Sequence, residues 1–282
     1  VTGKLEVGLR SCEEVGTILS LASVEELAIP KPGNASRSAD AAGASFEELL
    51  KSSVILTPQY VEACERGKLR SRPIMDLLYR AVEISSRLNF RFQLLGTALT
   101  LIPIAYAYGE IKDLSELLPK AWEVVRSLNH EDYRWFASCL STLNPGYLGK
   151  MDRADFRQFK GTLWEALALS ADVDSVARNL ITGYSITRRA LKFMSITVDT
   201  QAILKSFLAI LSEEPDGLIH RKFGAKVALD VSNLARFFLE SLSFEELGFL
   251  DRVLRNKGVN PGSTADIIAS AIALRLLGVI ET

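Results

Sequence analysis

STADIIASAIALRLLGVI, residues 263–280, carries only Asp266 and Arg275 as charges and is apolar on nearly every face of a helix. A surface helix keeps one polar stripe, so a helix apolar all round belongs at the centre of a bundle. The rest of the chain reads as layers around it. Val15, Ile18, Leu19 and Ala22 recur at helical spacing, as do Leu49, Leu50 and Val54, and then Ile74, Leu77, Leu78, Ala81 and Val82. Period-2 alternation and Asn-Gly hairpins are missing, so strand signals are nearly absent. Capping-box patterns at Ser45…Glu48 and Ser243…Glu246, and helix openings at Pro73 and Asp113, mark starts. The pattern predicts about a dozen helices: 4–28, 45–66, 73–88, 92–109, 113–128, 130–142, 153–170, 174–189, 191–212, 217–241, 243–257 and 263–279. Short Pro/Gly-rich stretches separate them, with no Gly/Ser tether. The expectation is an all-α fold, one compact helical bundle over residues 1–282 with a buried C-terminal helix.

Composition narrows the function classes. Of 282 residues, 48% are hydrophobic and 24% charged, as in globular proteins, and the net charge is −1. A general nucleic-acid binder would show a basic block, and none is present. Cys12, Cys64 and Cys139 are far apart and lack CxxC spacing, which predicts isolated thiols in a reduced compartment rather than a disulfide or zinc framework. The start, VTGKLEVGLRSCEEV, has charges every few residues and no apolar leader. FQLLGTALTLIPIAYAYG, 92–109, is uncharged but barely long enough to span a bilayer and contains Pro103, so a buried helix is expected. These features predict a cytoplasmic protein without membrane contact. The long apolar helices permit a homodimer.

Three loops carry the candidate chemistry. In NPGSTAD, 260–266, Ser263 or Thr264 begins the buried helix, whose unpaired N–H groups suit a phosphate or are simply capped. Asp266 there either complements the dipole or holds a divalent metal. In DGLIHRKFG, 216–224, Arg221 and Lys222 sit in the first turns of a helix against its dipole, which an anion nearby would offset and a solvated basic face would also explain. In PKPGN, 30–34, Lys31 suits a phosphate clamp and Gly33 lets backbone amides approach an anion, or the stretch is a helix stop. No P-loop or Rossmann fingerprint occurs.

In this order the stretches resemble the triphosphoribosyl-dephospho-CoA synthase family, in its archaeal-type branch. Glu26 precedes PKPGN; Asp40 and SFEELL follow; NPGYLG comes at 144–149, ADVDSVARNLITGY at 171–184, DGLIHRKFGAKVA at 216–228 and KGVNPGSTADIIAS at 257–270. The resemblance implies an all-helical transferase that joins ribose C1 of ATP to the 2′-hydroxyl of dephospho-CoA, or a related acceptor, with release of adenine. A non-catalytic homologue that binds a nucleotide or a protein is the alternative. The resemblance further implies Glu26, Asp40 and Asp216 as catalytic carboxylates and Mg²⁺ held by Asp266 and Asp216. Substrate contacts would come from Lys31, Gly33, Asn34, Arg37, Arg221, Lys222, Asn260, Ser263 and Thr264. Three stretches depart from the family pattern. Ser36 stands where the family has His, Phe92-Gln93 where it has Asn-Thr before x-Leu-Gly, and Tyr147 where PGG is common.

Overall fold

The computed structural model describes residues 9–144, 158–194, 198–239 and 243–281. The expected stretch Pro145-Gly146-Tyr147, the start of the helix expected from residue 153 and residues 4–8 of the first one lie outside them. Fourteen α-helices and one 3₁₀ turn make up the described residues, without a strand. They are α1 (Cys12–Ala28), α2 (Phe46–Leu69), α3 (Met75–Arg87), α4 (Leu95–Glu110), α5 (Leu117–Arg126), α6 (His130–Leu143) and α7 (Leu163–Ser170). Then follow α8 (Ser175–Ile181), α9 (Ser185–Lys192), α10 (Thr200–Glu213), α11 (Gly217–Phe223), α12 (Ala225–Leu239), α13 (Phe244–Asn256) and α14 (Gly262–Leu277).

Helix α14 lies at the centre, packed against α1, α4, α8, α9, α10 and α11, with Ile267 through Leu274 buried. The apolar segment after Phe92 is the second buried helix, α4, in which Thr97 through Tyr108 are all covered. No described helix is long and apolar enough to cross a membrane.

Two long helices expected from periodicity are each two. Gly183 and Tyr184, at φ 68° and 62°, separate α8 from α9, and Gly224, at φ 87°, separates α11 from α12. Left-handed backbone ends a helix, and glycine adopts it without a Cβ clash. The first helix begins later than expected because Ser11 and Glu14 form a reciprocal capping box. At α2 the expected box is replaced. The Ser45 hydroxyl makes no cap; Phe46 N–H donates instead to Asp40 Oδ1 at 2.7 Å. Glu48 is drawn away to the 90s loop, where it accepts from Arg91 N and Gln93 Nε2.

The cysteine expectation also needs correction. Cys12 and Cys64 form a disulfide, since α1 and α2 pack side by side and bring their Cα atoms to 5.5 Å. A separation of 52 residues hides that contact from any spacing rule. Cys139 is the free, buried thiol, and burial pushes its thiol up to about 12. Closing a loop of this size removes denatured-state entropy worth about 4 kcal/mol in the chain-entropy account. A Cys12→Ser/Cys64→Ser variant should therefore lose about that much stability in denaturant titrations. Wild type in strong reductant should match it.

Candidate active site

Residues 29–45 form a folded-in loop whose first part is buried. The Lys31 ammonium, fully covered, donates to Glu26 Oε1 at 2.8 Å, to Glu26 O at 2.5 Å and to Ile29 O at 2.9 Å. Burial pushes the Glu26 carboxyl up, and the Lys31 charge beside it works in the opposite direction. The loop is fastened from α13: Gly33 N–H donates to Asp251 Oδ1 at 2.8 Å, and Arg255 Nη2 donates to Asn34 O at 2.6 Å. Asn34 Nδ2 then donates to Asn260 Oδ1 at 2.7 Å. PKPGN and NPGSTAD are thus joined directly, side chain to side chain.

Asp216 fastens two helix N-termini at once. Its Oδ1 accepts from Leu218 N and Ile219 N in α11, and its Oδ2 from Thr264 N at 2.7 Å and Thr264 Oγ1 at 2.9 Å in α14. Burial pushes this carboxyl up, and the four donors act against that rise. Two turns of chemistry follow from it: Arg221 and Lys222 extend from the end of α11, and Asp266 from the start of α14.

These groups surround a cavity of about 290 Å³. Glu26, Asn34, Asn260, Ser263 and Asp266 line it, and Arg91, Arg221 and Lys222 bring cations to it. Burial pulls the Lys222 ammonium down, and the charges of Arg91 and Arg221 add to that pull. Arg221 also pairs with Asp174. Much of the remaining lining is apolar. Tyr133, Phe136, Leu140 and Leu143 come from one face of α6, and Leu163 and Leu167 from α7.

Asp266 is the exceptional carboxylate of the cavity. Burial raises it to about 7, against the Thr97 hydroxyl, with the negative charges of Glu26 and Asp216 adding to the rise. Its Oδ1 accepts from Thr97 Oγ1 at 2.5 Å. Its Oδ2 lies against Gly96, where a Cβ would stand 2.1 Å away. A titratable group held near neutrality in a cleft is suited to proton transfer.

The expected site residues fall into three groups. Glu26, Asn34, Arg221, Lys222, Asn260, Ser263 and Asp266 line the cavity. Lys31, Gly33, Asp216 and Thr264 lie in the wall behind that lining, where Lys31 and Asp216 tie elements together. Arg37 and Asp40 are exposed and outside the lining, Asp40 serving as the cap of α2. Ser36, at the position of the family's histidine, is buried against Ser38 and also does not line the cavity. Arg91, Gln93, Thr97 and Asp174 line or support the cavity without having been expected. Gln93 carried a signal as part of the Phe92-Gln93 replacement, and Asp174 as part of the ADVDSVARNLITGY stretch. The Gln93 amide is held by Glu48 and by Ser45 N–H.

Among the described residues, the expected pair Asp216 and Asp266 does not assemble a donor set for a resident Mg²⁺. Both oxygens of Asp216 are taken by N–H and O–H donors, and Asp266 Oδ1 is taken by Thr97. Among the described residues, no three His, Cys, Asp or Glu side chains are grouped to share an ion.

Comparison with known proteins adds an independent line. The sequence profile of the family described as ATP:dephospho-CoA triphosphoribosyl transferase matches residues 12–281. A crystal structure of a proposed triphosphoribosyl-dephospho-CoA synthase from Archaeoglobus fulgidus is similar, with a TM-score of 0.66 and 26% identity. The match covers 80% of the present chain and 97% of the archaeal one. No curated protein matches the sequence.

Proposed function

The chain belongs to the ATP:dephospho-CoA triphosphoribosyl transferase family, and from that premise we propose how its cavity moves the triphosphoribosyl group of ATP to the 2′-hydroxyl of dephospho-CoA. The observation that carries the assignment of roles is the convergence of Arg91, Arg221 and Lys222 with the raised carboxylate of Asp266 on one cavity. Three neighbouring cations repel one another, and a triphosphate relieves that repulsion. Arg221 and Arg91 supply planar forks and Lys222 a point charge.

With the triphosphate so held, ribose C1 faces the carboxylate side. The C1–N9 bond breaks as the acceptor's 2′-oxygen bonds to C1, and the departing electron pair leaves with adenine. Asp266 takes the hydroxyl proton, adenine takes up one proton from solvent on leaving, and Asp266 returns its proton to solvent afterwards, so charge and atoms balance. Glu26, held by Lys31, adds a second negative group beside the positive charge that develops on the ribose. The apolar α6–α7 wall excludes water, which would otherwise compete as acceptor. Mg²⁺ in this reading travels with the triphosphate and not with the protein.

Incubation of the protein with ATP and dephospho-CoA, followed by chromatography, tests the reading. Adenine and the triphosphoribosylated acceptor should appear in equal amounts. Absence of adenine, together with no ATP-induced rise in melting temperature, would overturn it. Within that assay, Arg91→Ala should raise KM for ATP about tenfold or more, the loss of one charge-assisted contact. Its kcat should change little.

A further inference from the structure

The first turn of α4 meets the first turn of α14 at one carboxylate. Helix α4 has Leu94 at its N-cap position and no side-chain cap of its own, so its leading N–H groups lack a partner within the helix. Asp266 lies against that turn. Thr97 Oγ1 donates to Oδ1 at 2.5 Å, and a Cβ on Gly96 would stand 2.1 Å from Oδ2 and 2.7 Å from Cγ. The carboxylate therefore rests against a helix turn, with room for it only because residue 96 has no side chain. Thr97 is itself 1% exposed, so its hydroxyl is held on the carboxylate by the packing around it.

We infer that Thr97 is a positioning residue for the transfer: its hydroxyl, bonded to Oδ1 of Asp266, fixes the angle at which that carboxylate is presented to the acceptor's hydroxyl. Gly96 supplies the space in which the carboxylate lies at that angle. The inference rests on Asp266 acting as the base proposed above. A carboxylate free to rotate would lose that angle, and a misdirected base loses rate without losing substrate.

The test compares Thr97→Val and Thr97→Ser by steady-state kinetics for both substrates, with a melting curve for each. Thr97→Val keeps the shape and deletes the donor. It should lower kcat about 10–100-fold while KM for ATP stays within about twofold. Thr97→Ser keeps the donor and should recover most of the rate. Gly96→Ala is an independent arm: its methyl displaces the carboxylate while Thr97 is intact, so kcat should fall there too. A folded Thr97→Val with kcat within about threefold of wild type would overturn the inference, as would a serine variant as impaired as the valine one. If Thr97→Val does not fold, the serine and Gly96→Ala variants decide, with full activity in Gly96→Ala counting against the role. Wild type without adenine release counts against the proposed reaction itself, whereas an active wild type with an indifferent Thr97 counts against this inference alone.

Discussion

Asp266→Asn should reduce turnover about a thousandfold, within the range for removing a general base, while ATP still raises the melting temperature. The amide is close to isosteric with the carboxylate, so Thr97 and Gly96 remain matched to it. The pH profile offers a second reading. A base must be deprotonated to act, and this one is raised to about 7 by burial. Wild-type kcat/KM should therefore fall as pH drops below about 7, and the residual rate of Asp266→Asn should lack that limb. A variant with wild-type turnover, or a wild-type rate independent of pH from 5 to 8, would remove Asp266 from the chemistry.

Lys31→Met should destabilise the fold by about 3–5 kcal/mol, the usual consequence of leaving one member of a buried ion pair alone. The ammonium is fully covered and neutralised by Glu26, with two carbonyl oxygens completing its partners. Replacing it strands a buried carboxyl and frees the loop that Asn34 and Asn260 tie together. Denaturant titration gives the stability change. The double variant Lys31→Met/Glu26→Gln should regain much of the loss, because it no longer buries an unpaired charge. If Lys31→Met instead left stability unchanged and raised KM for ATP, Lys31 would be a phosphate ligand.

How much of this was legible in the sequence depended on whether the cause was local. The all-helical class and the central place of α14 follow from periodicity and from a helix apolar on every face, which are properties of consecutive residues. The breaks at Gly183 and Gly224 do not, because a glycine inside a helical pattern reads the same whether its φ is negative or positive. Ser45 and Glu48 satisfy the capping-box rule, yet tight turns at residues 36–44 return Asp40 to the helix start and release Glu48 to the 90s loop. Lys31 was a plausible phosphate clamp until Glu26, five residues earlier, proved to be its partner. Arg91 was unreadable, since a lone arginine beside an apolar segment is usually solvated. It joins Arg221 and Lys222 only because α4 packs against α14 and α11 does the same. For the same reason the Cys12–Cys64 bond was invisible at a separation of 52 residues.

Asp216 also sets a spacing. Through its two oxygens the N-termini of the short helix α11 and of α14 are pinned to one buried carboxylate, with Arg221 and Lys222 further along one helix and Asp266 along the other. The separation between those cations and that acid is therefore written into main-chain hydrogen bonds and does not rest on side-chain rotamers alone, which makes the pair a ruler built into the backbone.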